Sequence, residues 1–501
     1  MEFLVGFAIL LILVVFSSVF YLRVASQSPS LPTPLPIIGH LYLLGKLPHH
    51  SLLAIARKYG PLVQLRLGSV PVVIASSPEM AREFLRNQDL TFASRPTLLT
   101  TKYILYDSKD MVFAPYGEHW RSMRKLCVVE LLTDRRLASS QQARLEELQR
   151  LLAKIAKVVE TSEPFLLLDL LTEFTFNVIT RMVMNKAYFG SGETMEELAA
   201  TRDFIHMQEQ GTILLGEFHI GDYIPFLKWF DSSVAKMKAL HKIQDEFPQK
   251  VVDQHVLARQ SREQTQAHDG DGDFVDTLLS LDSPDPNNQA RNIKALIQNL
   301  LGAGTDTSIT TIQWAMAELL NNPRALEKAQ EELRAKFGNA RQEIIQEHEL
   351  KDLPYLHAVI KETFRLHPPA PLLIPHQSTQ DTTVAGLAIA KGTRLFVNVY
   401  AIGRDPALWK SPDDFLPERF LGSSIDVHGK NFELLPFGSG RRGCPGMALG
   451  LITVQLALAN LLHRFQWSLA PGVDAHPMAE CFGVVTTMEI PLRARASPNK
   501  D

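Results

Sequence analysis

Near the end of the 501-residue chain stands Phe437-Gly438-Ser439-Gly440-Arg441-Arg442-Gly443-Cys444-Pro445-Gly446. A lone cysteine is more often a small buried hydrophobe than a ligand. In a glycine-rich loop, beside two arginines and before a long apolar stretch, it has instead the surroundings of a thiolate, the form that ligates metals. Three further groups carry chemistry. Ala303-Gly304-Thr305-Asp306-Thr307 sets an acid among hydroxyls within an otherwise apolar helical pattern, where each glycine costs about 1 kcal/mol relative to alanine. Such a local violation marks a functional position, and an acid beside a hydroxyl can pass protons. The bland alternative is a threonine bonding its own i−4 carbonyl. Glu362 and Arg365, three apart, share one helix face. Trp120 and Arg124 bring an indole donor and a guanidinium together, a pair suited to a carboxylate.

The loop also satisfies a G-x-G-x-x-G string at Gly438, Gly440 and Gly443, the fingerprint of a dinucleotide-binding turn. Its context fails: Pro436 precedes it, no acid follows at the required distance, and too little chain remains for a doubly wound domain. The cysteine loop, taken with the other groups, resembles the cytochrome P450 superfamily, matching F-x-x-G-x-R-x-C-x-G completely. That resemblance implies haem b held by Phe437, Gly438 and their neighbours, with Cys444 as the metal ligand whose thiolate pushes electron density into iron. It implies that Thr307 and Asp306 are catalytic and relay protons to dioxygen. It implies haem propionates clamped by Arg442, Trp120, Arg124 and His376, and a buried charge network of Glu362, Arg365 and Arg419 whose role is structural.

The same resemblance supplies partners. Two electrons would come from NADPH through a separate NADPH-cytochrome reductase flavoprotein, since the length leaves no room for a flavin or nicotinamide domain. Exposed cations such as Lys125, Arg135 and Arg136 are candidates for its docking face. Asp222-Tyr223-Ile224-Pro225, Arg365-Leu366-His367-Pro368-Pro369 and the proline-rich entrance look like the large plant group of endoplasmic-reticulum enzymes. By analogy the substrate pocket is lined by residues 97–112, 298–303, 370–374 and 484–486, mostly apolar, which suits a small apolar or aromatic metabolite held by shape. Hydroxylation of a phenylpropanoid or flavonoid leads this reading, with a terpenoid as the runner-up. A haem-thiolate isomerase or dehydratase, or a non-catalytic haem binder, would have no use for Thr307 and Asp306.

These residues need a scaffold. Apolar residues recurring from Ile293 to Leu319 predict a helix over Asn292 to Asn321, stopped by Asn322-Pro323. Helical patterns dominate the rest, and short alternating or β-branched runs predict strands at Leu62 to Leu67, Val70 to Ala75 and Arg394 to Val399. The expected fold is mainly α with small β-sheets, one large haem-thiolate domain over 41–501, with a polar connector at Gln264 to Asp273.

Residues 1–23 are read as a membrane anchor, because Phe3 to Leu22 is an apolar run of bilayer-spanning length and Met1-Glu2 lacks the basic start of a signal peptide. Arg23 just after it places the body on the cytosolic side of a single-pass endoplasmic-reticulum protein. That group often carries several basic residues here, and this chain offers one. Residues 24–40, with Pro29, Pro32, Pro34 and Pro36 before Gly39, read as a stiff hinge. A formal charge of −3 gives no basic stripe, so nucleic acid is not an expected partner. Three cysteines make no disulfide framework and suit a reducing compartment.

Overall fold

The computed structural model describes residues 32–161, 163–190, 192–265, 272–281, 286–338 and 343–498. The expected anchor, the hinge through residue 31 and most of the polar connector lie outside them. The described part of the hinge is not a free spacer. Leu35 and Gly39 exchange two backbone hydrogen bonds of 2.9 Å, His40 N donates to Arg66 O at 2.6 Å, and Gly68 N donates to Ile38 O at 3.0 Å. The segment is thus docked on the first strand. Gly39 has φ +61°, and a Cβ there would lie 2.1 Å from Arg66 O, so the docking itself demands glycine.

In chain order, the elements that build and brace the site are helix α1 (Pro48–Tyr59), strands β1 (Leu62–Leu67) and β2 (Val70–Ala75), and helices α2 (Glu118–Leu126), α3 (Leu167–Met184), α4 (Met195–Gly216), α5 (Ser233–Thr265), α6 (Pro286–Asn321) and α7 (Pro354–Leu366). Then come β3 (His376–Gln377), β4 (Arg394–Val397), α8 (Met447–Arg464), β5 (Glu480–Cys481) and β6 (Thr487–Met488). One sheet runs β1-β2-β4-β3, with β1 and β2 antiparallel and β2 parallel to β4, Val72 facing Arg394. Alternate residues of β1 are buried, the period expected of a half-covered strand. Strand β4 stops two residues short of the predicted end because Asn398 caps a short helix, its Oδ1 accepting from Ala401 N at 3.0 Å.

The core is helical. Helix α6, which begins six residues before its predicted start, packs on α3, α8, α7 and α5. Ile312, Ala315, Met316, Ala317 and Leu319 on it are fully enclosed. Burying a large aliphatic side chain contributes roughly 2 kcal/mol, so this central helix fixes the rest by packing more than by propensity. Helix α8 is long and apolar enough to cross a bilayer by length and composition, but most of it is buried, its Leu456, Leu458, Leu461 and Leu462 in the same core. It is a core helix, apolar on most sides because protein surrounds it.

Candidate functional site

The loop of Cys444 is pinned before α8 begins. Gly438 and Gly440 adopt φ of +66° and +69°, and a Cβ on Gly440 would meet Leu85 O at 2.1 Å. Cys444 N donates to Phe437 O at 2.9 Å, closing the loop. Among the described residues the nearest preceding strand, β4, ends at Val397 and does not lead into the loop, so the rival nucleotide-turn reading has no support here. The sulfur opens into a cavity of about 340 Å³, and the nine residues assigned to catalysis or haem binding in the sequence line that cavity: Trp120, Arg124, Asp306, Thr307, His376, Phe437, Gly438, Arg442 and Cys444.

The cations are arranged differently from the sequence reading. Arg441 points outward to Asp89 at 3.0 Å. Arg442 donates to Ala93 O and Ala114 O, both at 2.6 Å, and lies 4.1 Å over the Trp120 ring. The guanidinium near the sulfur belongs to Arg124 of α2, which donates to Gly443 O at 2.8 Å. Burial pushes the Cys444 thiol up, opposed by a backbone hydrogen bond from Gly446 and by Arg124. The Trp120 indole N–H is taken by Met111 O at 3.1 Å, so this residue offers its ring face to Arg442 and Arg124. The buried His376 gives Nδ1 to Phe92 O at 2.8 Å, and burial with Arg95 nearby holds it well below its ordinary pKa.

Arg95 is a site residue that the sequence reading missed. It is buried, lines the cavity, and donates to the carbonyls of Ile374 (2.6 Å), Pro375 and Val112. Its signal was a charge within the apolar stretch Phe92-Ala93-Ser94-Arg95-Pro96. Burial, then Arg442, press it well below the usual guanidinium value; burial and Arg124 bring Arg442 down to about 9. Asp110 is the carboxylate facing this cluster, and burial raises it to about 6. Three guanidiniums against one carboxylate leave an excess of positive charge, and Arg442 Nη1 is buried without a partner. A dianionic ligand with two carboxylates would balance that excess, and a flat macrocycle bearing them fits a cavity lined by Gly438 and Gly446, which put no side chain into it.

Above this, α6 passes close to α3: a Cβ on Gly304 would stand 3.2 Å from Ile179. Thr307 Oγ1 donates to Ala303 O at 2.7 Å, the i−4 bond of the bland reading, which commits its proton and leaves the oxygen's lone pairs toward the cavity. Asp306 Oδ2 accepts from Thr212 Oγ1 of α4 at 3.1 Å. Burial, reinforced by Glu209, raises Asp306 to about 7. The walls are largely aliphatic, including Ile104, Leu105, Val112, Leu373, Ile374 and Val484. Asn299 of α6 holds one wall by accepting from Met111 N (2.9 Å) and Val112 N, a second contact absent from the sequence reading.

The charge network beneath α7 takes the expected form. Arg365 meets both oxygens of Glu362 at 2.7 Å, Arg419 Nε meets Oε1 at 2.9 Å, and neither member of the first pair is exposed. Arg365 also donates to the carbonyls of Gly403 and Pro412 at 2.5 Å, tying α7 to the segment ahead of the cysteine loop.

Residues 29–492 match the Cytochrome P450 family profile. The chain is 41% identical over 483 residues to cytochrome P450 71A6 of Nepeta racemosa, covering 94% of each. It is 41% identical to cytochrome P450 703A2 of Arabidopsis thaliana, covering 95% of this chain and 93% of the relative. A zebra fish cytochrome P450 solved with abiraterone superposes with a TM-score of 0.74 at 26% identity, covering 91% of this chain and all of the other. The chain therefore belongs to the cytochrome P450 family, as a monooxygenase of the plant type whose cofactor is haem b ligated by a cysteine thiolate and reduced through a partner reductase.

Proposed function

We propose that the protein hydroxylates a small apolar plant metabolite with an aromatic skeleton, a phenylpropanoid or flavonoid, in the cavity lined by Cys444 and Thr307. The observation that carries this reading is one enclosed space in which a thiol, an excess of guanidinium charge, an acid near neutrality and aliphatic walls all meet. Cys444 would ligate iron, and Arg95, Arg124, Arg442 and His376 would hold the propionates, with Trp120 stacked beneath the guanidiniums. Bound there, the haem would supply dioxygen activation with two electrons from NADPH, one oxygen atom entering the substrate and the other leaving as water.

The chain's own residues move the protons. Asp306, at about 7, gains and loses a proton near physiological pH, and the lone pairs of Thr307 can hold a donor in the cavity. The aliphatic walls exclude water and hold a substrate by shape. A peroxide-using isomerase or a haem sensor would gain nothing from that acid and hydroxyl. Oxidation of a terpenoid is the second reading, favoured by walls more aliphatic than aromatic; progesterone occupies a solved zebra fish neighbour.

The lipid bilayer is part of the reading. The docked hinge ends where Gly68 N meets Ile38 O, and Ser69 N next to it donates to Tyr223 O at 2.8 Å. The segment that follows, Pro225–Phe230, exposes Trp229 by 93% and Phe230 by 82%, and Leu35 and Ile37 of the hinge are exposed as well. An apolar patch with exposed aromatic side chains beside the docked hinge, together with the apolar run Phe3 to Leu22 in the sequence, fits an endoplasmic-reticulum surface with the body in the cytosol. Lys125, Arg135 and Arg136 are exposed on and after α2, the helix whose Arg124 donates to Gly443 O of the cysteine loop, and are the proposed reductase contacts.

The test is spectral and then catalytic. The reduced, carbon monoxide-treated protein should show the thiolate-type band. A panel of matched phenolic and terpenoid compounds should shift the haem spin state selectively, and turnover of the best binder should require reductase and NADPH. Turnover with peroxide alone, or selective binding of terpenoids, would replace this reading with the corresponding alternative.

A further inference from the structure

A second cluster of metal-grade donors lies outside the cavity of Cys444, where the first turn of α1 meets β5. His49 Nε2 and His50 Nε2 stand 2.8 and 2.7 Å from the same oxygen, Glu480 Oε2, although Glu480 is more than four hundred residues away in sequence. All three donor atoms lie within 4.8 Å of one another.

Neither imidazole depends on the carboxylate for its orientation. The wholly buried His49 ring packs 4.7 Å from Tyr400 and 5.5 Å from Phe482, and His50 stacks on Tyr400 at 4.6 Å. Glu480 is placed by strand pairing with Met488 and by Glu489 N donating to Ala479 O at 2.9 Å. Strand alternation turns Cys481 to the opposite face, so no thiolate joins the set.

Two imidazole nitrogens and a carboxylate oxygen form a set that zinc accepts, with bonds of about 2.0–2.2 Å and a fourth position free for water. Tetrahedral bonds of that length separate ligand atoms by about 3.4 Å, so the present contacts of 2.8 and 2.7 Å need open by roughly 0.6–0.7 Å. The surroundings favour a cation. His50 and Glu480 line a cleft of about 740 Å³ together with Glu318, Asp413, Asp414 and Glu489, against Arg404 as the one lining arginine or lysine. The His50 side chain is 45% exposed, which gives an ion a way in.

We propose that His49 Nε2, His50 Nε2 and Glu480 Oε2 bind one zinc-class divalent cation that staples α1 to β5, its open coordination position facing the cleft. Loss of the ion would leave the two histidines hydrogen-bonded to one carboxylate.

The experiment uses the haem-loaded full chain, free of affinity tags and stripped with chelator, dialysed against zinc and counted by elemental analysis. One zinc per chain is expected for the wild type, with affinity at least about tenfold weaker in His50→Ala and in Glu480→Gln. Glu480→Gln keeps an oxygen that accepts from both rings, so it removes the charge while sparing the fold. None of the three residues lines the haem cavity, so the carbon monoxide spectrum of each variant should match the wild type and certifies that it is folded. A wild-type chain that retains no zinc, or variants that bind it as the wild type does, would overturn the proposal.

Discussion

Cys444, Cys127 and Cys481 separate the thiolate from ordinary cysteines. Burial pushes the thiols of both Cys444 and Cys127 up, so what distinguishes Cys444 is its place in the cavity lining, which neither Cys127 nor Cys481 shares. Cys444→Ser should therefore abolish the thiolate-type carbon monoxide spectrum, whereas Cys127→Ser and Cys481→Ser should keep it. Thr307→Ala should leave haem content intact and divert electrons to hydrogen peroxide, read as NADPH consumed per product; unchanged coupling would remove the relay role. Asp306 makes a pH prediction. Its carboxyl titrates at about 7 when folded and near 3.8 when unfolded, so between those values the unfolded chain has ionised and the folded one has not. Stability falls across that window as pH rises, by up to a few kcal/mol. Asp306→Asn, which can still accept from Thr212, should stabilise the protein at pH 8 and much less at pH 5, measured by thermal melting of the haem absorbance; an equal shift at both values would contradict the assignment. At this scale the residues that the fold gathers around one cavity were readable through the family resemblance, because a motif records which residue types belong together. Their hydrogen-bond partners were not: the diversion of the Trp120 indole to Met111 and the replacement of Arg441 by Arg124 beside the sulfur depend on chain segments that meet only in the fold.

Helices and strands carry the next set of consequences. Strands β1 and β2 matched their predicted ends because β-branched alternation and Gly68 between them act locally. The Asn398 cap that ended β4 early is also local, but it resembles any other polar residue until its side chain is seen to turn back on Ala401 N. The parallel pairing of β2 with β4 was illegible, since no local pattern marks two strands more than three hundred residues apart as neighbours. Helix α7 contributes a testable element. Glu362 is the one carboxylate bonded to both Arg365 and Arg419, and removing the charged member of a buried network costs about 3–5 kcal/mol. Glu362→Gln should lower the yield of haem-loaded protein per chain synthesised, measured from the carbon monoxide spectrum, and not merely slow turnover of a normally loaded enzyme. A substitution at Lys328, whose partner Glu418 is half open to solvent, should leave that yield unchanged.

At the scale of the whole molecule the proposed membrane association has two candidate contacts. A chain attached through Phe3 to Leu22 alone would leave the bilayer once that run was removed. The docked hinge and the exposed Trp229 and Phe230 point to a second contact, because the hinge turn, the β1–β2 turn and the segment after Tyr223 are joined by backbone hydrogen bonds into one surface. Burying one large aromatic ring contributes roughly 1.5–3 kcal/mol, enough for about a ten-fold or greater change in partitioning. A chain lacking residues 1–31 should keep its haem spectrum, since the turn at Leu35 to Gly39 is closed by bonds within the described body. It should also still sediment in part with phospholipid vesicles. Trp229→Ser with Phe230→Ser in that shortened chain should release it to the supernatant with haem content unchanged. In the full-length chain the same pair should weaken nothing measurable in sedimentation, because the proposed anchor would retain it by itself. If the shortened chain left the vesicles completely before either aromatic was changed, the patch would have no role at the membrane and the anchor would act alone.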